Sequence, residues 1–191
     1  MKRVFIIHGW DGYPEENWFP WLKRELEAKG FEVFVPQLPD AENPKIEKWV
    51  PAVANVIGSV NEDTYFVGHS IGCQTIARFL ENQSEDVQAG GAIFVAGFFK
   101  RLTNMEDEEV KETADSWFNS PIDFSKVKKR LIKSVAIFSD DDEYVPLDNV
   151  DYFRDKLGSK IIIEHNKGHF NTKAGVTELP VVLEELLKMS E

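Results

Sequence analysis

The chain predicts an α/β fold: a mostly parallel central sheet of about six strands, with helices on both faces, in one domain. Two observations carry this reading. Short apolar runs alternate with segments of helical apolar spacing from one end of the chain to the other. The runs are apolar at successive positions, as strands buried on both faces of a parallel sheet must be. At 191 residues and 42% hydrophobic content, the chain is long enough for one buried core.

The elements follow in order. "RVFIIH" (residues 3–8) is the first strand. "NWFPWLKRELEAKG" carries Trp18, Trp21, Leu22 and Leu26 at helical spacing, and Gly30 is its stop. "FEVFVP" (31–36) is the second strand, and a helix from about Ile46 follows, perturbed by Pro51. "TYFVG" (64–68) is a strand leading directly into the helix "IGCQTIARFLEN". "GAIFVA" (91–96) is the next strand. Residues 97–130 read as irregular, acidic then basic, and rich in aromatics, a short cap-like insert. "SVAIFS" (134–139), the helix "PLDNVDYFRDKL", the strand "KIIIEH" (160–165) and the helix "LPVVLEELLKM" complete the chain.

A net charge of −11 repels phosphate backbones and anionic lipid, so neither nucleic acid nor membrane is expected as a partner. The one dense basic cluster, "KVKKRLIK" (126–133), reads as a solvated lead into a strand. No apolar run reaches the length of a membrane span. The N-terminal apolar run is too short for a signal sequence, and one cysteine, Cys73, precludes an internal disulfide. A cytoplasmic protein is expected.

In such sheets ligands gather beyond the carboxyl ends of the strands. "FVGHSIG" (66–72) lies there. A serine presented on a sharp strand-to-helix turn needs nearly side-chain-free neighbours two residues away on each side. Gly68 and Gly72 supply them around Ser70. The following helix aims its first amides, beginning with Ile71, at the same place, where an oxyanion would form. His69 and Cys73 read as packing residues.

A serine nucleophile needs a base, and the base an orienting acid. Of the four histidines, His169, in the loop "NKGHFN" past the last strand, suits the base better than His165, which still belongs to that strand. The acid comes from "SDDDEYVP", where Asp140, Asp141 and Asp142 all follow a strand. The order Ser, Asp, His along the chain is that of the α/β-hydrolase fold. After the first strand, "HGW" offers Gly9 for close backbone approach and the Trp10 amide as a second oxyanion donor. His8 reads as a residue fixing that loop by a hydrogen bond.

These pieces together resemble the small serine hydrolases typified by retinoblastoma-binding protein 9 and the bacterial YdeN-like proteins. The likeness runs through "VFIIHGW", "NWFPWLKREL", "TYFVGHSIGC", "GAIFVAGF", "DDEYVP" and "GHFN". It implies a compact α/β-hydrolase fold with almost no lid, Ser70 as nucleophile and His169 as base. It also singles out Asp142, three residues before the Val145–Pro146 turn, as the acid. Trp10, Phe98, Phe99, Trp117 and Phe118 are expected to wall an acyl pocket. The expected activity is hydrolysis of a small-molecule acyl ester, thioester or amide through an acyl-enzyme, without metal or organic cofactor. The dinucleotide fingerprint is absent. The alternative is a protein that keeps this fold for binding, with little or no turnover.

Overall fold

A computed structural model describes residues 1–191. Six strands form one sheet: β1 (Arg3–Ile7), β2 (Glu32–Phe34), β3 (Thr64–His69), β4 (Gly91–Val95), β5 (Ser134–Ser139) and β6 (Lys160–Glu164). Their order is β2-β1-β3-β4-β5-β6, and every neighbouring pair is parallel. The chain steps outward from β1 to β2, then crosses back to place β3 on the other side of β1. The direction of winding therefore reverses between β1 and β3, and a crevice opens at such a point beyond the carboxyl ends.

Six α-helices cover the sheet: α1 (Phe19–Glu27), α2 (Ile46–Ile57), α3 (Ile71–Glu81), α4 (Glu108–Phe118), α5 (Phe124–Lys129) and α6 (Pro180–Met189). Alternate residues of each strand face opposite layers. Phe5, Ile7, Phe66 and Phe94 pack with α2, α3 and α5. Val4, Ile6, Val67, Ile93 and Ile137 pack with α1 and α6. Both faces of the central strands are thus removed from water, which explains their uninterrupted apolar sequence.

Two stretches differ from the sequence reading. Residues 97–130 are not irregular, because they carry α4 and α5. Each is capped by an aspartate: Asp107 accepts the amides of Glu109 and Val110, and Asp123 those of Ser125 and Lys126. The helix expected over "PLDNVDYFRDKL" is instead a 3₁₀ turn, Leu147–Asn149, followed by a π-helix, Tyr152–Leu157. Pro51 lies inside α2 without interrupting it.

Arg78 anchors the insert to the core. Its buried guanidinium donates to the carbonyls of Trp117 (2.7 Å) and Ser120 (2.8 Å), at the carboxyl end of α4, and to Gln74 (3.1 Å). The negative pole of that helix end suits a cation that has no carboxylate partner.

Non-glycine residues in the left-handed region gather at one rim of the sheet. Asp11 follows β1, Ser70 follows β3, Ala96 follows β4, and Asn166 and Phe170 follow β6.

Candidate active site

Ser70 stands between β3 and α3 at φ 54° and ψ −123°, the strained backbone that a nucleophile elbow requires. Its amide is held by the Val95 carbonyl at 2.9 Å. The two glycines are required by close approach. A Cβ at Gly72 would lie 2.4 Å from the Ile7 carbonyl oxygen, and one at Gly68 would lie 2.8 Å from Ile76 Cδ1 and 2.9 Å from the Cys73 amide nitrogen. The first turn of α3 can therefore press directly on β1.

The loop after β1 brings Gly9 and Trp10 to the same crevice. His8, fully buried, holds this loop from both ring nitrogens. Nε2 accepts the Leu38 amide at 3.0 Å, so Nδ1 carries the hydrogen and donates to the Gly9 carbonyl at 2.8 Å. Burial lowers the pKa of His8, in keeping with this neutral form. The Trp10 amide donates to no backbone carbonyl, while its ring Nε1–H donates to Glu42 O at 2.9 Å. Ile71 begins α3, so its amide has no carbonyl within the helix.

Asp142 follows β5 and His169 follows β6. Asp142 Oδ2 lies 2.8 Å from His169 Nδ1. The other carboxylate oxygen accepts the amides of Tyr144 (2.9 Å) and Val145 (3.0 Å), which fixes the acid's orientation. With Nδ1–H committed to the carboxylate, Nε2 is left to accept a proton. Their side chains are 2% and 12% exposed, so the pair operates away from bulk water. The other two aspartates contact the same loop differently. Asp141 Oδ1 accepts the Gly168 amide (2.8 Å) and the Ser139 hydroxyl (2.6 Å). Asp140 accepts the Asn166 amide (3.1 Å) and pairs with His165, which is well exposed.

Ser70 and His169 share a cavity of about 310 Å³. Gly9, Asp11, Glu16, Asn17, His69 and Asn171 supply its other polar and small lining residues. Trp10, Phe98, Leu102, Met105, Val110 and Tyr144 form the rest. Burial pushes the Glu16 carboxyl up to about 7, against a hydrogen bond from the Tyr13 amide and with a smaller contribution from Asp11. Cys73 is fully buried and its Sγ–H lies 3.6 Å from Val95 O; burial raises its pKa, so it is no thiolate.

The pocket reading needs correction at three positions. Trp10 and Phe98 line the cavity, but Phe99, Trp117 and Phe118 do not. Trp117 is buried against Trp49 and its Nε1–H donates to Pro44 O at 2.9 Å. Phe99 packs among Phe124, Tyr152 and Phe153. Phe118 packs against Phe98 and lines an adjoining surface depression that shares Leu102 and Met105 with the cavity. Leu102, Met105 and Val110, the aliphatic residues of the insert, take their place. Val110 lies in the first turn of α4, which Asp107 caps, while Leu102 and Met105 come from the segment before that cap.

No three His, Cys, Asp or Glu side chains are grouped as a metal site would require, and no helix is long and apolar enough to cross a membrane.

Comparison with known proteins agrees with this architecture. The sequence matches the serine hydrolase family over residues 4–188. It is 32% identical to YdeN of Bacillus subtilis (strain 168) over 185 residues, 97% of this chain and 94% of that one. Identity to the serine hydrolase RBBP9 of Rattus norvegicus is 25% over 155 residues, 81% and 78% of the two chains. The crystal structure of the B. subtilis ydeN gene product superposes with a TM-score of 0.90 at 31% identity, covering 99% of this chain and 98% of that one. Est1E from Butyrivibrio proteoclasticus shares the fold at a TM-score of 0.74 and 15% identity, covering 98% and 88%. With six parallel strands, an elbow after β3 and a family match along nearly its whole length, the chain belongs to the serine hydrolase family, has the α/β-hydrolase fold and is a hydrolytic enzyme.

Proposed function

We propose that the chain hydrolyses small acyl esters, thioesters or amides through an acyl-enzyme on Ser70, with His169 as general base and Asp142 as orienting acid. The observation that carries this reading is the buried Asp142–His169 pair opening onto the cavity that holds the left-handed Ser70. The Ser70 hydroxyl attacks the acyl carbonyl carbon while His169 Nε2 takes its proton. The imidazolium so formed is stabilised by Asp142. Charge developing on the carbonyl oxygen is met by the amides of Ile71 and Trp10. Collapse of the tetrahedral intermediate breaks the bond to the leaving group, which departs with the proton from His169. Water, activated by the same nitrogen, then attacks the acyl-Ser70 ester and releases the acid. The aliphatic side chains of the insert, which acts as a short cap on a single domain, receive the acyl group.

The test is covalent labelling by a fluorophosphonate together with turnover of p-nitrophenyl esters of increasing chain length. Wild type should label at Ser70 and turn over short esters, and Ser70→Ala should do neither. Labelling that persists in Ser70→Ala would refute the reading.

A further inference from the structure

We propose that His69 is a positioning residue which, with Trp18, holds the general base in place through the main chain of its loop, and so ties the nucleophile's turn to the base. This rests on the triad proposed above. His69 ends β3 and immediately precedes Ser70. Its ring Nε2–H donates to the carbonyl of His169 at 2.8 Å, and the two rings lie 4.9 Å apart. The next carbonyl, that of Phe170, receives Trp18 Nε1–H at 3.0 Å. Two residues further on, Asn17 Oδ1 accepts the amide (2.9 Å) and hydroxyl (3.1 Å) of Thr172. The loop is thus held by side chains at residues 169 and 170, where it accepts, and at 172, where it donates, all from residues that precede α1 or Ser70.

Such a grip is needed here. Phe170 has φ 52°, a conformation that a bulky side chain adopts only when its surroundings enforce it. His69 itself is set against the rings of Trp18 (6.2 Å) and Phe19 (6.0 Å). Its Nδ1 is buried without a partner. An apolar side chain would pack there without that unmade hydrogen bond, so packing alone does not account for a histidine. What an apolar residue could not supply is the Nε2–H. Burial, with His169 beside it, holds the His69 pKa down to about 3, so the ring is neutral, and the His169 carbonyl, which can only accept, places its one hydrogen on Nε2. A neutral ring also leaves no second cation against the imidazolium that the reaction would create.

The test compares wild type with His69→Leu, His69→Gln and Trp18→Phe, using p-nitrophenyl butyrate kinetics, the rate of fluorophosphonate labelling and thermal melting. Misplacing a catalytic group by about 1 Å costs on the order of 10²-fold. His69→Leu should therefore lower kcat about 10–100-fold and the labelling rate in parallel, with KM changed by less than about 2-fold. His69→Gln, whose amide nitrogen can reach the same carbonyl, should recover most of that loss. Trp18→Phe keeps an aromatic ring at the site, drops the N–H, and should lower kcat by a smaller factor. Equal impairment of His69→Leu and His69→Gln, or a folded His69→Leu with wild-type kcat, would overturn the proposal. If His69→Leu does not fold, wild-type kcat in Trp18→Phe overturns it instead. A wild type that fails to label at Ser70 overturns the triad and this proposal together. Equal labelling of wild type and His69→Leu overturns the positioning role alone.

Discussion

The carboxylate of Asp141 accepts the amide of Gly168 at 2.8 Å, while its neighbour Asp142 takes the ring of His169 at the same distance. Adjacent acids thus hold adjacent residues of one loop, one through its backbone and one through the proposed base. Their losses should differ in kind. Asp142→Asn is expected to lower kcat by about 10⁴, the cost of removing the orienting acid from a serine-protease triad. Asp141→Ala should cost about 10-fold, because the loop loses an anchor but the imidazole keeps its partner. Asp140→Ala, at an exposed histidine, should change kcat least. Ester kinetics on the three variants check the order, and equal losses would contradict the assignment.

Glu16 predicts a pH dependence of stability. Its carboxyl titrates near 4.5 when unfolded and is raised to about 7 by burial in the folded chain. The folded state therefore binds more protons between these values, and stability falls as pH rises from about 4.5 to 7. Glu16→Gln keeps the acceptor for Tyr13 and abolishes the titration. It should melt higher than wild type at pH 8 and close to wild type at pH 4.5. The half-exposed setting screens the effect, so about 2–4 °C is expected, the shift that ~1 kcal/mol gives in a chain of this size. Melting curves at the two pH values decide it.

Gly72→Ala should be among the most damaging single methyl additions. Its Cβ would meet the carbonyl oxygens of Ile7 at 2.4 Å and His8 at 2.6 Å, both backbone atoms that cannot turn aside. A loss of about 3 kcal/mol or more is expected by denaturant titration. Gly30→Ala serves as the contrast. Nothing lies within 4 Å of its Cβ, and only the strain at φ 85° remains.

Arg78→Met should loosen the insert. It leaves the carbonyls of Trp117 and Ser120 without their charged donor, worth about 2–3 kcal/mol. Limited proteolysis should then cut within residues 97–130 under conditions where wild type resists.

The corrected pocket makes its own prediction. Leu102→Phe narrows the cavity and should lower kcat/KM more for long acyl esters than for acetyl. Trp117→Phe should leave that ratio unchanged and lower stability instead, through the lost bond to Pro44. Chain-length profiles and melting of both variants test it.

The sheet was legible because burial on both faces forces a continuous apolar run, and such runs as "RVFII" and "SVAIF" admit few other readings. The elbow was legible because its steric demand falls on Gly68 and Gly72, close to Ser70 in sequence. The helix α4 was not, although Val110, Ala114, Trp117 and Phe118 follow helical spacing, because that stripe is short and set among charged residues. The pocket walls suffered from the same gap. An aromatic-rich segment announces burial, but whether Phe99 faces the cavity or Phe153 depends on how the insert docks. The grip of His69 on His169 spans 100 residues and leaves no trace in local pattern.

The left-handed residues described at the rim have a consequence for how the molecule comes apart. Asp11, Ser70, Ala96, Asn166 and Phe170 all have positive φ, which the packing around Ser70, Ala96 and Phe170 must impose, and all lie beyond strand carboxyl ends. At the amino ends of the strands no comparable load is concentrated. Amide hydrogen exchange should therefore run as a gradient along the strands, fastest at the rim that carries Ser70. The end that would do chemistry should be the end where the native state opens first.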